Sequence, residues 1–301
     1  MNLSELSDYF VWGTVSAYTL AMVAFAIDLA KVAENVRSDE RPTYVGRSTR
    51  ALGIAMALTT VGVLFHLVAA IVRGFAAGRV PWANMYEFTL TGTLAAVGVF
   101  LVVNLWKEIR FLGVFVTVLA ITFLMVGLQA FHIDADGVEP ALQSYWIVIH
   151  VGIAVLATGL FTVAFIISVL QLMRAAWNRA TEAGNTPRWA WRAVLPAPDR
   201  LEALSFRLNA VAFVMWTFTI IGGAVWANDA WGRAWNWDPK EVWSFIVWVI
   251  YAAYLHARAT RGWDGQRAAW FVVVGYAAVL FNFTGVNILF DGLHSYAQLP
   301  Q

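Results

Sequence analysis

The stretch WGRAWNWDPKEVWSFIVWVIYAAYLH, residues 231–256, decides the fold and points to the functional site. Its first eleven residues contain three tryptophans (Trp231, Trp235 and Trp237) and four charged residues (Arg233, Asp238, Lys240 and Glu241). The remainder is an apolar run that is long enough, as a helix, to cross a bilayer. A packed core has no need of three tryptophans beside charged groups. The segment therefore predicts a surface that holds a large flat ligand where the chain leaves the membrane.

The composition is that of a membrane protein. Hydrophobic residues make up 60% of the 301 residues and charged residues only 13%, which is typical of a polytopic chain. The net charge of +1 gives no electrostatic support for a nucleic-acid partner. Because the chain has no cysteine, any thiol chemistry must use sulfur from another molecule. Glu5 and Asp8 precede the first apolar run, which is unlike a cleaved signal peptide.

Eight apolar runs are long enough to span a bilayer as helices. They cover approximately residues 9–30, 51–72, 86–105, 111–131, 144–173, 208–227, 241–257 and 268–288. The fifth run is longer than a span needs, so we expect it to tilt or to extend beyond the membrane. The sequence thus predicts an all-α polytopic protein in which residues 1–301 form a single integral membrane domain.

The distribution of basic residues predicts the orientation in the membrane. Of the 20 Lys and Arg residues, 16 fall in the odd-numbered connections between spans and only 4 elsewhere. The 16 are Lys31, Arg37, Arg41, Arg47, Arg50, Lys107, Arg110, Arg174, Arg179, Arg188, Arg192, Arg200, Arg207, Arg258, Arg261 and Arg267. Basic connections stay in the cytoplasm. Both termini and the tryptophan-rich segment 228–243 are therefore expected on the outer side.

The largest cytoplasmic connection, residues 174–207, is basic and contains Pro187, Pro196 and Pro198. We interpret it as an interfacial or loosely ordered segment. A partner site or nucleotide site is the functional alternative, but no glycine-rich phosphate loop supports it.

The five histidines fall at different depths in this topology. His150, near the outer end of the fifth span, and His294, in the outward tail, can both reach the tryptophan-rich segment. His256 ends the seventh span, about 22 Å below its start at 1.5 Å per residue, and does not share a depth with His66. If these histidines are haem ligands, His256 and His66 therefore cannot bind the same iron. His256 either has a partner on another chain or is not an axial ligand.

The outer segment has the chemistry of a haem platform. Two imidazoles can hold a six-coordinate haem iron, aromatic faces stack on a porphyrin, and cations such as Arg233 and Lys240 pair with its propionates. Other interpretations stay open. Interfacial tryptophans often serve as membrane anchors, and Asp238, Pro239 and Glu241 can cap the seventh helix. His66 can simply hydrogen-bond between helices, and His132 can be interfacial.

Four motifs resemble the CcsA branch (also called ResC) of system II cytochrome c biogenesis, members of which are labelled CcsB in some organisms. The pattern WGxxWxWDxKExW, which ends at Trp243, is followed by WxxYxxYLHxR and is similar to the family's "WWD" signature. Three further segments match family segments in order: RGFAAGRVPWANMYEF (73–88), PALQSYWIVIHV (140–151) and GLHSYA (292–297). In the first of these, Arg79 stands where many members have histidine, which suggests that no ligand is needed there.

The resemblance implies a specific role for each candidate residue. His150 and His294 would be the outer axial ligands of haem b, the transported substrate, and His256 would ligate haem within the membrane, with His66 a weaker candidate. The haem would lie against Trp231, Arg233, Trp235, Trp237, Asp238, Lys240, Glu241 and Trp243. A CcsB/ResB-type partner would supply the other intramembrane ligand.

The implied reaction is thioether attachment of haem to the CxxCH motif of an apocytochrome c on the outer face. The chain would be a subunit of a cytochrome c synthetase (haem lyase) complex that works by positioning haem. We assign no catalytic acid or base. A thioredoxin-like thiol reductant is a further candidate partner. The bacterial plasma membrane is the expected location, with the thylakoid membrane as the alternative.

Two other classes of function remain as alternatives. A membrane transporter of another amphipathic molecule could use the aromatic segment as an outer binding surface, and would not depend on His150 or His294. A cytochrome b-like electron carrier is disfavoured, because such proteins usually place two histidines of one chain at matching depth.

Overall fold

A computed structural model describes residues 2–36, 49–135, 144–186, 188–260 and 262–294. Within these ranges, eight helices are long and apolar enough to cross a membrane, which confirms the all-α polytopic prediction. They are α1 (Leu3–Val36), α2 (Arg50–Ala77), α3 (Met85–Asn104), α4 (Gly113–Ala130), α5 (Tyr145–Glu182), α6 (Pro198–Trp231), α7 (Pro239–Thr260) and α8 (Gly265–Phe283). A short helix α9 (Gly285–Leu289) follows, and 3₁₀ turns occupy Arg110–Leu112 and Ala190–Val194.

Several residues named above lie outside the described ranges. They are Arg37, Arg41, Arg47, Pro187 and Arg261, together with residues 140–143 and 295–297 of two of the family-like segments.

Three helices are much longer than a bilayer requires. About 20 residues span the hydrocarbon core, whereas α1 and α6 each have 34 residues and α5 has 38. The long fifth span is confirmed, but α1 and α6 also extend beyond their predicted spans. Their charged extensions are stabilised by polar partners at one end of the bundle. There, Thr49 donates a hydrogen bond to Asp28 of α1, and Glu202 of α6 pairs with Arg258 at 2.7 Å.

The segment 174–207 is more ordered than the sequence suggested. Helix α5 continues to Glu182, α6 begins at Pro198, and a 3₁₀ turn lies between them. The turn is held in place because Arg174 donates a hydrogen bond to the carbonyl of Arg192 at 2.9 Å and Trp191 packs on Phe115.

Helix α5 joins two packed halves of the molecule. One half contains α1 to α4, and the other contains α6 to α8. Helix α5 contributes Val163 and Ile167 to the hydrophobic core of the first half, and Ala157 and Phe161 to that of the second. Gly159 allows α3 to approach closely, since a Cβ atom there would lie 2.9 Å from the backbone of Ala95. The two halves therefore meet along α5.

The connections α2–α3, α4–α5 and α6–α7 lie at the same end of the bundle as the start of α1 and the end of α8. Contacts across this end support the arrangement: Arg73 of α2 reaches Ser4 and the carbonyl of Ile133, and Lys240 of α7 reaches the carbonyl of Asn282. We call it the tryptophan end, because residues 231–237 lie there.

Candidate functional site

A cavity of about 480 Å³ opens at the tryptophan end, between the two halves of the molecule. Its volume is within the range of pockets that enclose small organic ligands. The walls are mostly apolar and include Phe88, Phe123, Phe131 and Phe283. The polar groups among the described lining residues include two histidines and three charged side chains, which are His150, His294, Arg79, Lys240 and Glu241.

His150 projects into the cavity from α5 with one ring nitrogen held by the backbone. Its Nδ1 lies 2.7 Å from the carbonyl oxygen of Thr219 on α6. A carbonyl can only accept, so Nδ1 carries the proton and Nε2 keeps its lone pair. The ring lies nearly parallel to that of Trp226, at 9° and 6.4 Å between centroids. Gly223 makes room, because a Cβ atom there would lie 2.7 Å from Cε1 of the imidazole.

His294 is prepared in the same way from a different part of the chain. Its Nδ1 lies 2.8 Å from Oδ1 of Asp238, so the carboxylate accepts the Nδ1 proton and Nε2 is the ring nitrogen left to bind a ligand. The ring makes edge contacts with Trp226 at 5.7 Å and with Trp231 at 5.1 Å. Within the described part of the chain, Nε2 has no hydrogen-bond partner in either His294 or His150.

Asp238 joins the loop, α7 and the C-terminal segment. Its carboxylate also accepts hydrogen bonds from the backbone N–H groups of Lys240 at 2.9 Å and Leu293 at 2.6 Å. Burial alone would raise the pKa of this carboxyl, but the hydrogen bonds from His294 and from the two backbone N–H groups hold it below its usual value. Asp238 therefore stays ionised while it is almost fully buried.

Asp238 and Glu241 form a capping pair at the start of α7. While Asp238 accepts from the N–H of Lys240, Glu241 reaches back and accepts from the N–H groups of Asn236 at 2.8 Å and Asp238 at 3.2 Å. This reciprocal arrangement is a capping box. It confirms the capping predicted from the sequence, and it fixes the loop that carries the tryptophans.

Lys240 ties the start of α7 to the end of α8. Its Nζ donates to the carbonyl of Asn282 at 2.6 Å and to Oδ1 of Asn287 at 3.2 Å, and the side chain also lines the cavity.

The structure distributes the predicted aromatic and cationic residues unevenly around the cavity. Trp235 lines it, while Trp231 lies behind Trp226 and Trp243 packs on Phe281 at 4.3 Å. Trp237 is 77% exposed with φ of 56°, and Arg233 is also exposed; neither lines the cavity.

The remaining histidines lie outside the cavity. His66 is fully buried between helices, with Nε2 2.9 Å from the carbonyl of Leu90 and Nδ1 3.3 Å from the hydroxyl of Tyr18. His132 contacts Asp8 at 3.0 Å. His256 is exposed near the other end of α7, four residues before its last residue, Thr260.

Three features of the site were missed in the sequence. Trp226, which contacts both cavity histidines, lies outside the segment 228–243, although its spacing from Trp231 and Trp235 continues the same tryptophan series. Trp82 lines the cavity from the family-like segment 73–88. The carbonyl of Thr219 left no signal, because any residue supplies a backbone oxygen.

The fold and the site together define the class of protein: it is an integral membrane protein with two histidines that face a cavity at one end of its helical bundle. The profile of the family described as "Cytochrome C assembly protein" matches residues 82–294, a range that includes both histidines and the tryptophan-rich segment. The chain therefore belongs to the cytochrome c assembly family.

Curated relatives agree over nearly the whole length. The chain is 32% identical over 309 residues to the "Cytochrome c biogenesis protein CcsA" of Synechococcus sp. strain CC9902, with 93% of this chain and 94% of the relative covered. It is 31% identical over 348 residues to the protein of that name from Gloeobacter violaceus, with 99% of each covered. It is 34% identical over 261 residues to the protein of that name from Mesostigma viride, with 79% of this chain and 85% of the relative covered.

A solved structure, "Cytochrome c Heme Lyase CcmF", shares the fold with a TM-score of 0.65 at 18% identity. The match covers 94% of this chain but 47% of that one, so the chain spans about half the length of that structure. Together, the comparisons make the chain an integral protein of a bacterial or thylakoid membrane that functions in cytochrome c biogenesis.

Proposed function

We propose that the chain binds haem b in the cavity at the tryptophan end and presents it there for covalent attachment to apocytochrome c. The observation that carries this proposal is the matched preparation of His150 and His294. Each lines the cavity, each has Nδ1 tied to an acceptor oxygen, and each has an Nε2 without a hydrogen-bond partner among the described residues. Two imidazoles held in this way are suited to be the axial ligands of a six-coordinate haem iron.

The rest of the cavity suits a porphyrin. Its walls are apolar and aromatic, which favours a flat conjugated ring over a small polar solute. Trp226 contacts both histidines and Trp235 lines the wall, so aromatic faces surround the space between the proposed ligands. Lys240 offers a cation for a propionate.

The proposed reaction joins haem to the substrate protein. Each cysteine thiol of CxxCH adds across one vinyl group: sulfur bonds to one vinyl carbon, the thiol hydrogen goes to the other, and no electron acceptor is needed. The chain holds the haem in place and, having no cysteine, offers no competing thiol. The histidine of CxxCH would replace one of the two axial ligands.

Haem delivery would use the other end of α7. By the distribution of basic residues, the tryptophan end faces the outer compartment and His256 lies towards the cytoplasm. His256 is exposed, so its imidazole is available to a second protein. We propose that it ligates haem together with a histidine of a CcsB/ResB-type partner before haem reaches the cavity. A thioredoxin-like reductant would keep the CxxCH thiols reduced.

The test is a reduced-minus-oxidised visible spectrum of the chain purified with its membrane partner. We expect a bis-histidine haem signal that falls strongly in the His150→Ala/His294→Ala double variant. A wild-type preparation without haem, or an unchanged signal in the variant, would contradict the proposal and favour a transporter of another amphipathic molecule.

The route through His256 has its own test. A His256→Ala variant should carry less haem in the cavity when haem is supplied by the cell, yet bind added haem there normally. Normal loading in cells would contradict the relay.

A further inference from the structure

We infer that Arg79 is a carboxylate-binding residue of the cavity and receives one haem propionate. This inference rests on the proposed function, because it names how the same cavity recognises the haem periphery. The sequence had suggested that Arg79 marks a place where no ligand is needed.

Arg79 belongs to a buried charge cluster with more cations than anions. Arg73 and Glu87 are fully buried, and the side chain of Arg79 is 12% exposed. Both guanidinium groups pair with the one carboxylate, so the three groups carry an excess positive charge. Among the described residues, the carboxylate of Asp8, which contacts Tyr86 beside this cluster, is held by Tyr86 and His132 and does not line the cavity.

Glu87 has no acceptor sites left for further hydrogen bonds from the two arginines. Its two oxygens accept from Nε of Arg73 at 3.2 Å, from both terminal nitrogens of Arg79, and from the N–H of Ala83 at 3.0 Å. Four donors occupy all the lone-pair sites that a carboxylate offers. A further anion is needed to balance the cluster, since a buried charge without a partner is costly.

Arg79 has unused donors. Its terminal nitrogens bind Glu87 and the carbonyl of Val80, but its Nε is buried and has no hydrogen-bond partner in the described ranges of the chain. An arginine normally uses its planar set of five N–H groups, and a second carboxylate is the acceptor that fits this geometry best.

Arg79 is the member of the cluster that lines the cavity, whereas Glu87 and Arg73 do not line it. Trp82, three residues along the same loop, lies against α5 beside Gly152, where a Cβ atom would be 3.5 Å from its ring. Gly152 is two residues from His150 in the chain, so the loop that carries Arg79 and Trp82 lies over the cavity close to this histidine. A ligand in the cavity meets the guanidinium and not the carboxylate.

The other charges of the cavity leave this role to Arg79. Glu241 is the one carboxylate among the described lining residues, and it is occupied by the loop backbone. Lys240 already donates one hydrogen bond to the end of α8 and one to α9, and remains the predicted partner of the second propionate. Arg50 is exposed at the start of α2, at the opposite end of the bundle, which makes it a matched control.

The experiment compares ferric haem with its dimethyl ester, in which both propionates are neutral. The full-length chain in nanodiscs is titrated with each compound, and binding is followed by haem absorbance and tryptophan quenching. We expect wild type to bind haem about tenfold more tightly than the ester, since hydrogen bonds to charged groups have this magnitude. Arg79→Gln should weaken haem about tenfold and leave the ester unchanged, Arg79→Lys should recover part of the loss, and Arg50→Gln should match wild type.

Each outcome separates the two levels of the proposal. If wild type binds neither compound, the proposed haem function fails. If wild type binds both equally, the cavity does not recognise carboxylates, and this inference fails while haem binding stands. An Arg79→Gln variant that weakens both compounds equally shows that Arg79 acts only through Glu87 and the fold. If Arg79→Gln misfolds, Arg79→Lys still tests the inference, because lysine keeps the positive charge beside Glu87 but lacks the planar set of donors, so it should weaken haem and not the ester.

Discussion

Histidines in the two halves of the molecule are built for different purposes. His66, in the α1–α4 half, is fully buried, with Nε2 facing the carbonyl of Leu90 and Nδ1 facing the hydroxyl of Tyr18. His150, on the helix shared with the other half, has one nitrogen on a carbonyl and the other directed to no described partner. The first imidazole is saturated by the fold, whereas the second retains one ligand position beside a cavity.

This difference teaches that membrane burial alone does not identify a ligand histidine. An intramembrane histidine is a functional candidate by default, and His66 satisfies that rule as well as His150 does. The deciding property is the number of ring nitrogens that the fold leaves without a partner. By this measure His66 belongs to the packing of the α1–α4 half, whereas His150, on the helix that joins the two halves, is a proposed iron ligand.

The strongest test of the comparison removes one imidazole at a time. His150→Gly or His294→Gly should lower haem affinity more than tenfold and abolish the six-coordinate low-spin spectrum, because the iron loses an axial ligand. Added imidazole should restore the spectrum. His66→Gln should retain both the haem affinity and the six-coordinate low-spin spectrum of wild type, with haem measured per folded protein. Loss of haem in His66→Gln with normal folding would break the comparison.

A smaller effect is expected from adjacent glycines on α6. Gly223→Ala would force the imidazole of His150 to move, because the added Cβ would lie 2.7 Å from its Cε1. Gly222→Ala places a Cβ at 3.7 Å from the Cβ of His150, an ordinary contact. We expect about a tenfold loss of haem affinity for the first and under twofold for the second, by titration of each purified variant. Equal effects would show that the position of His150 is not critical.

Asp238 offers a test of how His294 is oriented. Asp238→Asn should weaken haem binding by about tenfold and raise the haem midpoint potential, because the imidazole loses the carboxylate that increases its basicity. Glu241→Gln keeps the loop position but does not touch His294, so its potential should equal that of wild type. Spectroelectrochemical titration measures both. A potential unchanged in Asp238→Asn would reduce Asp238 to a capping residue.

The smallest effects should separate two tryptophans. Trp226→Phe removes part of the ring that contacts both histidines, and a roughly threefold loss of haem affinity fits the usual size of an aromatic contact. Trp237→Ala should change affinity by less than about twofold in the isolated chain, because Trp237 is outside the cavity. A larger effect at Trp237 would mean that the loop closes over bound haem.

The sequence was sufficient for the fold because its signals are local. Apolar runs identified all eight spans, and Asp238, Pro239 and Glu241 identified the start of α7. Helix lengths were harder: the predicted sixth span begins at residue 208, whereas α6 begins at Pro198. In the structure, Arg258 from another helix pairs with Glu202 and allows α6 to begin earlier. That pairing is a tertiary contact and leaves no local pattern.

The site was only partly readable for the same reason. The sequence brought His150, His294, Trp235, Lys240 and Glu241 to one predicted surface, and the structure places these five around one cavity. It could not indicate which nitrogen of each histidine is tied, since the acceptors are a backbone carbonyl and a carboxylate distant in the chain. Nor could the sequence show that Glu87, which pairs with Arg79, already accepts four hydrogen bonds.

The position of α5 between the two halves has a consequence for how a ligand could leave. Both proposed iron ligands are anchored on the α5–α6–α7 side, through Thr219 and Asp238, while Arg79 belongs to the loop between α2 and α3. Rotation of one half about α5 would therefore move Arg79 away from the haem propionate while His150 and His294 stay on the iron. Haem could then be handed over in stages, with its periphery released first and its metal held until a new histidine arrives.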